Sequence, residues 1–246
     1  MKNFICFVFL AFTSTLYAQD AKDIVRLANE AYRGKTSVTQ FTMKIVRPKW
    51  ERSYTIKSWS KGDNLSLALI LTPAKDKGQA FLKRGNDLWN WMPTLNRMIK
   101  MPPSMMSQGW MGSDVSNDDM MRQSSLVDDY DQRIVKTETI DGRECWNIIL
   151  TPKPTSNVMW GKIVLWISKK GYLIMKQEYY DEDGTLAHTE NCSEVKTMDK
   201  REITSKIEII PAENPSQKTI LSIDNIIFDR PIDDSFFSEQ TMKTLK

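Results

Sequence analysis

Residues 134–150 read IVKTETIDGRECWNIIL, in which two strand-like runs flank the dipeptide Asp141-Gly142. Asp-Gly is a strong signal for a two-residue hairpin, because both central residues of a type I′ turn need positive φ angles. The runs 134–140 and 144–150 are therefore predicted to pair as neighbouring antiparallel strands.

The same arrangement of short strands and tight turns recurs along most of the chain. Apolar and polar residues alternate from Phe41 to Ile45, and leucine occupies every second position from Leu65 to Leu71. Further strand-like runs lie at 162–168, 172–180, 186–196, 203–210 and 219–228. We predict about eleven strands with hairpin connections, a pattern typical of an antiparallel sandwich or barrel.

A few helices are predicted beside the strands. Asp20 can cap a helix that extends to about Arg33, where Gly34 favours its end. Shorter helices are expected at 117–122 and within 233–245. No internal repeat or linker interrupts the chain, so residues 19–246 are predicted to form a single domain.

Residues 1–18, MKNFICFVFLAFTSTLYA, have the features of a cleavable secretory signal. Lys2 precedes a short apolar run, and the small residue Ala18 precedes the predicted cleavage site. We therefore expect an exported, periplasmic protein. The cysteines left after cleavage, Cys145 and Cys192, are expected to form either one disulfide or two separate thiols.

The overall composition narrows the classes of function. The 246 residues include 34 basic and 31 acidic side chains, a formal net charge of +3, and 41% are hydrophobic. This is enough apolar material for a folded core. The near balance of charge and the lack of a dominant basic tract argue against nucleic acid as a partner.

The middle of the chain, residues 88–121, departs from the strand pattern. It reads LWNWMPTLNRMIKMPPSMMSQGWMGSDVSNDDMM and contains eight methionines and three tryptophans. A long loop in a compact domain is usually functional or mobile, and methionine adapts to ligands of variable shape. We therefore predict that residues 98–121 form a movable lid over an apolar cavity.

This segment resembles the outer-membrane lipoprotein-sorting protein family, the LolA-like proteins. The matching run is W-N-W-M-P-x-x-x-R-x-x-x-M-P-P-S-M, then W-M-G-S-D-x-S-N-D-D, and LVDDYD at 126–131. The resemblance implies an incomplete, half-open antiparallel β-barrel of about eleven strands, covered by helices and a loop lid. It also implies an apolar interior that receives acyl chains. The motif does not fix the position of the lid arginine of LolA, for which Arg47 is our candidate.

The expected function is that of a soluble periplasmic carrier for the acyl chains of a lipoprotein or lipid. Its expected partners are an inner-membrane transporter, an outer-membrane acceptor, or both. We expect no cofactor, no metal and no catalytic residues. The candidate cavity and lid residues are Phe41, Met43, Ile45, Leu67, Leu69, Trp91, Met98, Met101, Met105 and Trp110. Ordinary core packing is the alternative interpretation for each of them.

Two other non-enzymatic functions fit the same sequence. A lipid or stress sensor of this fold would respond to cargo without transporting it. Alternatively, thioether sulfurs at positions 98, 101, 105 and 106 could bind Cu(I), because soft ligands select soft metals.

Enzyme chemistry finds little support in the sequence. His188 is the sole histidine, and no G-x-S-x-G pattern provides a nucleophile for it. It is expected to be a surface or cross-strand residue. The pairs Asp118-Asp119 and Asp128-Asp129 fit a helix start and a turn better than an acid-base or metal site.

Overall fold

A computed structural model describes residues 20–122, 126–156 and 158–245 of the chain. The predicted signal sequence, residues 1–18, lies outside the described residues. The helices of the described part are α1 (Ala21–Arg33), α2 (Asn117–Arg122) and α3 (Glu239–Thr244). None of these helices is long and apolar enough to cross a membrane.

The described residues form one antiparallel sheet of 13 strands. The strands are β1 (Thr36–Arg47), β2 (Trp50–Lys61), β3 (Leu65–Thr72), β4 (Ala80–Arg84), β5 (Asp87–Met92), β6 (Arg97–Lys100), β7 (Tyr130–Ile140), β8 (Arg143–Pro152), β9 (Lys162–Ser168), β10 (Ile174–Tyr180), β11 (Leu186–Met198), β12 (Arg201–Pro211) and β13 (Lys218–Phe228). Their spatial order is 6-5-4-3-2-1-13-12-11-10-9-8-7, so β6 and β7 are the two edges and the sheet does not close.

The mainly β, half-open fold is confirmed, but the predicted number of about eleven strands is too low. Strands β4, β5 and β6 have only five, six and four residues. Such short runs do not show a clear alternation. Strands β5 and β6 lie almost entirely within the methionine-rich segment 88–121, which departs from the strand pattern in the sequence.

The hairpin predicted around Asp141-Gly142 joins β7 to β8. Ile140 pairs with Arg143, and the two turn residues have φ angles of 47° and 75°. Both angles are positive, as a type I′ turn requires, which explains the choice of Asp and Gly at these positions.

Helix α1 packs on one face of the sheet. The Asp20 carboxylate accepts a hydrogen bond from the backbone amide of Lys22 at 3.2 Å, and Gly34, with φ of 64°, follows the last turn. Ile24, Val25 and Ala28 of the helix contact a core formed by β7, β8, β9 and β10. The helix boundaries agree with the sequence prediction.

The first half of the sheet buries apolar residues on both faces. On the face shared with α1, Ala68 and Ile70 join a cluster with Phe41 and the methionine-rich segment, which we call the lid core. On the opposite face, Leu67 and Leu69 pack with the C-terminal residues of the chain, in what we call the tail core. Neighbouring residues of one strand therefore belong to different cores, as the period of two requires.

A short helix is predicted within 233–245, and the structure has two short helical elements there. A 3₁₀ turn spans Asp234–Phe236, and α3 follows, with Ser238 as its cap. Phe237 and Met242 are completely buried against β3 and β4. The tail core thus covers what would otherwise be an exposed apolar face of the sheet.

We predict that Leu67→Ala lowers the free energy of unfolding by about 2–5 kcal/mol, the usual cost of truncating a fully buried leucine. Leu67 is 0% exposed in the tail core. The adjacent variant Ser66→Ala is the control, because Ser66 lies on the other face. Its unfolding free energy should change by less than about 1 kcal/mol in chemical denaturation. Equal losses in both variants would contradict this assignment of the two faces.

Candidate functional site

Two adjoining cavities lie on the face of the sheet that is covered by α1 and the methionine-rich segment. Tyr32, Met120 and Leu221 line both of them, so the two cavities adjoin, and we call them together the concavity. Their empty space, mouths included, is about 1060 Å³ and 900 Å³. The enclosed cavity volume is about 130 Å³ in each of the two cavities.

One compartment, the serine chamber, has small residues at most of its positions on β1, β2 and β3. Its strand residues are Ser37, Thr39 and Phe41 of β1, Ser58 and Ser60 of β2, Ser66 and Ala68 of β3, and Leu221, Ile223 and Ile226 of β13. On β3, Ser66 and Ala68 alternate with Leu67 and Leu69, which face the tail core. Small side chains inside and large ones outside leave a hollow where the sheet curves.

The other compartment, the tyrosine chamber, lies beneath α1 and the second half of the sheet. Apolar and aromatic residues dominate its wall, among them Tyr130, Val158, Trp160, Ile163, Tyr179 and Ile207. Asp118, Asp119 and Glu190 also line it. The chamber is therefore a mostly apolar space with carboxylates in its wall.

A polar cluster anchors the wall of the tyrosine chamber on β10 and β11. Glu190 accepts a hydrogen bond from Gln177 Nε2 at 2.6 Å, and its other oxygen lies 3.6 Å from His188 Nε2. His188 stacks on Tyr179, its direct cross-strand partner, with 4.4 Å between the ring centroids. His188 thus occupies a cross-strand position, as the sequence predicts, and it is buried rather than at the surface.

The two cysteines are free thiols on opposite faces of the sheet. Cys192 lines the tyrosine chamber, and Cys145 packs with Trp166 and Met175 on the other face. Of the two possibilities left by the sequence, the structure has the separate thiols. Burial raises the pKa of Cys192, and Glu190 raises it further, so this thiol stays protonated at neutral pH.

The lid, residues 101–122, follows edge strand β6 and covers the serine chamber. Trp110 is completely buried within it, and its ring lies 5.2 Å from that of Phe81. The backbone folds tightly beside it: a Cβ atom at Gly109 would lie 2.3 Å from the carbonyl oxygen of Ser113. Glycine is therefore required for the turn that places Trp110 over the sheet.

Helix α2 ends the lid and connects it to the tyrosine chamber. The Ser116 hydroxyl accepts a hydrogen bond from the Asp119 amide at 2.9 Å, the arrangement of a helix N-cap. The Asp119 carboxylate accepts one from Trp160 Nε1 at 2.7 Å. The lid is thereby attached to the loop before β9.

A latch formed by Arg47 and Asp114 holds the middle of the lid. Two guanidinium nitrogens donate to the two carboxylate oxygens, at 3.0 Å and 2.9 Å, and the side chains are only 12% and 10% exposed. The Thr219 hydroxyl also donates to Asp114, at 2.7 Å. The bidentate pair joins the lid to the ends of β1 and β13. Bidentate, charge-assisted hydrogen bonds of this kind are among the strongest in proteins. Arg47, our candidate for the lid arginine, does contact the lid.

The structure separates the ten predicted site residues into three groups. Phe41 and Trp110 line the serine chamber. Met43, Ile45 and Met101 are in the lid core, and the backbone carbonyl of Met105 accepts a hydrogen bond from Asn117 Nδ2. Leu67, Leu69, Trp91 and Met98 are in the tail core and line neither chamber among the described residues.

The placement of this last group differs from the prediction for a physical reason. The prediction places Leu67 and Leu69 in the cavity wall, but a hollow needs small residues, and the leucines fill the opposite core. Met98 belongs to strand β6 rather than to the lid, so the lid begins at residue 101. Met98 and Met101 consequently lie in different cores, which opposes the Cu(I) site built on their spacing.

Several cavity residues were not anticipated from the sequence. Tyr32, Tyr179 and Leu221 come from α1, β10 and β13, and no local motif marks them. The serines of β2 and β3 did carry a signal, because small and large residues alternate in the stretch SWSKGDNLSLALI at 58–70.

Comparison with known proteins agrees with this geometry. A family model described as "Uncharacterized protein" matches residues 62–244. A LolA superfamily protein from Nitrosomonas europaea is 25% identical, with a TM-score of 0.77 over 91% of this chain and 100% of that one. The chain belongs to the family of this model, and its fold is LolA-like. No curated protein matches its sequence.

Two further structures share the LolA-like fold. An outer membrane lipoprotein-sorting protein domain from Vibrio parahaemolyticus is 20% identical, with a TM-score of 0.79 over 91% of this chain and 98% of that one. A DUF1329 family protein from Desulfovibrio piger is 21% identical, with a TM-score of 0.82 over 90% and 97% of the two chains. The sequence resemblance to LolA-like proteins is thus confirmed.

We predict that Asp114→Asn loosens the lid while the sheet stays intact, because it leaves the buried Arg47 guanidinium without its counter-charge. Backbone amides of 105–119 should exchange hydrogen at least about tenfold faster, while those of β11 and β12 stay unchanged. The exposed pair Lys44–Glu51 supplies the control variant Glu51→Gln, for which no faster exchange is expected. Unchanged exchange in Asp114→Asn would show that the latch does not hold the lid.

Proposed function

We propose that this LolA-like protein is a non-catalytic periplasmic carrier that holds the acyl chains of a lipid or lipoprotein in its two chambers. The observation that carries the proposal is the two-chambered concavity beneath a latched lid. Each buried acyl methylene contributes about 0.8 kcal/mol, so apolar walls alone can retain such cargo. The other LolA-like structures, one of which is described as a lipoprotein-sorting domain, support the same class of function.

The lid supports loading and release at a defined place. Its contacts with the sheet include the Arg47–Asp114 latch, the buried Trp110 and packing of several methionines. A partner that competes for Asp114 or Arg47 would break the latch and favour release of the cargo. We propose an inner-membrane transporter as donor, an outer-membrane acceptor as recipient, or both.

The buried side chains of the concavity favour binding over catalysis. Burial raises the pKa of Tyr179 and of Cys192, so both are neutral near pH 7 and neither is an activated nucleophile or base. These two neutral groups are compatible with apolar cargo, and the nearby carboxylates of Asp119 and Glu190 accept hydrogen bonds from Trp160 and Gln177. A sensor of the same fold would share these features, and it would differ by changing a partner contact without moving lipid.

Protein isolated gently from its own cell envelope should carry bound lipid in native mass spectrometry. Ser58→Phe should reduce the bound fraction, since the ring occupies space in the serine chamber. If the ring displaces two methylenes of the bound acyl chain, the affinity for lipid should fall roughly tenfold. Ser53→Phe is the matched control, because Ser53 lies on the same strand at an exposed position. Lipid-free wild-type protein, or equal occupancy in both variants, would refute the proposed carrier site.

The two native cysteines provide a second test without mutation. Because burial raises the pKa of Cys192, its alkylation by N-ethylmaleimide should be slow at pH 7 and faster at pH 9, where more thiolate forms. Bound lipid should protect Cys192 in the tyrosine chamber, and it should leave the rate at Cys145 unchanged, as peptide mass spectrometry can measure. Equal modification of Cys192 with and without lipid would place the cargo elsewhere.

A further inference from the structure

The serine chamber is too polar to be only a container for hydrocarbon. Five serine and threonine residues line it: Ser37, Thr39, Ser58, Ser60 and Ser66. The hydroxyls of Ser37 and Ser60 bond each other at 2.8 Å. No hydrogen bond joins the hydroxyls of Thr39, Ser58 and Ser66 to any residue that the structure describes. These groups are therefore available to a bound molecule.

A buried donor in the same wall lacks a partner. Trp110 lines the serine chamber, its side chain is 0% exposed, and its indole Nε1–H has no acceptor among the described residues. Unpaired buried donors are rare and destabilising, and each calls for an explanation. An acceptor oxygen supplied by cargo would satisfy this group.

The charges around the chamber define which acceptor fits. Arg33 is the one charged residue among its described wall residues, and Arg33 Nη1 already donates to Asp63 at 2.8 Å. The three carboxylates of the concavity, Asp118, Asp119 and Glu190, line the tyrosine chamber instead. The serine chamber thus offers neutral donors without a spare cation, which suits a neutral acceptor better than a phosphate.

We propose that the serine chamber binds the ester carbonyl groups of a glycerolipid inside the protein, while an attached acyl chain occupies the tyrosine chamber. This inference rests on the proposed carrier function. It adds which polar group of the cargo is recognised and how the cargo is oriented between the two chambers. Hydroxyls of Ser58 and Ser66, together with Trp110 Nε1–H, donate to the carbonyl oxygens. The linkage region of the cargo is then enclosed along with its tails.

Two matched lipids test this inference: 1,2-dioleoylglycerol, and its dialkyl ether analogue, which has the same chains but no carbonyl oxygens. Binding to the full mature protein is measured by displacement of a fluorescent apolar probe. The ester should bind roughly tenfold more tightly than the ether, the equivalent of one or two hydrogen bonds. In Ser58→Ala/Ser66→Ala the two affinities should become nearly equal, mainly through loss of ester binding.

Further variants separate hydrogen bonding from changes in shape. Trp110→Phe keeps a ring beside Phe81 but removes the donor, so it should also reduce the preference for the ester. Ser53→Ala, outside the chamber, should preserve it. Equal binding of both lipids to the wild type, or a preference that survives in Ser58→Ala/Ser66→Ala, would overturn this inference and leave the carrier proposal intact. Failure of both lipids to bind would overturn the carrier proposal as well.

Discussion

A single open sheet has two faces, and both must be covered before its apolar side chains leave water. That constraint organises this molecule. One face of the first half is closed by the C-terminal segment, whose Phe237 and Met242 pack tightly on β3 and β4. The other face is covered by α1 and the lid, and there the covering is loose enough to leave two chambers. The densely packed tail core holds the strands in place, so the opposite face can contain the two chambers.

The pattern of the sequence was sufficient for most elements of the fold. Local signals placed α1, the β7–β8 hairpin and α2, because caps and turns depend on residues that are close in the chain. The alternation in β3 also showed that two faces exist. It did not show which face is hollow, because Leu67 and Leu69 suit a packed core as well as a cavity wall. Only the position of the C-terminal segment decides between the two.

The latch illustrates the other limit of sequence analysis. Arg47, Asp114 and Thr219 come from β1, the lid and β13, and they meet only in the folded chain. Nothing in the neighbourhood of Arg47 in the sequence identifies its partner. The motif W-M-G-S-D contains Asp114, and the tight turn that begins just before it at Gly109 buries Trp110 and presents the carboxylate to Arg47.

The boundary between the chambers has a kinetic consequence. Tyr32, Met120 and Leu221 line both chambers, so they lie at the constriction where the chambers adjoin. Methionine has three rotatable bonds, so rotation about them can widen or narrow this constriction on the nanosecond scale of side-chain motion. Diffusion of a flexible molecule from one compartment to the other would then be much faster than its escape to the outside, which requires the slower displacement of a whole loop.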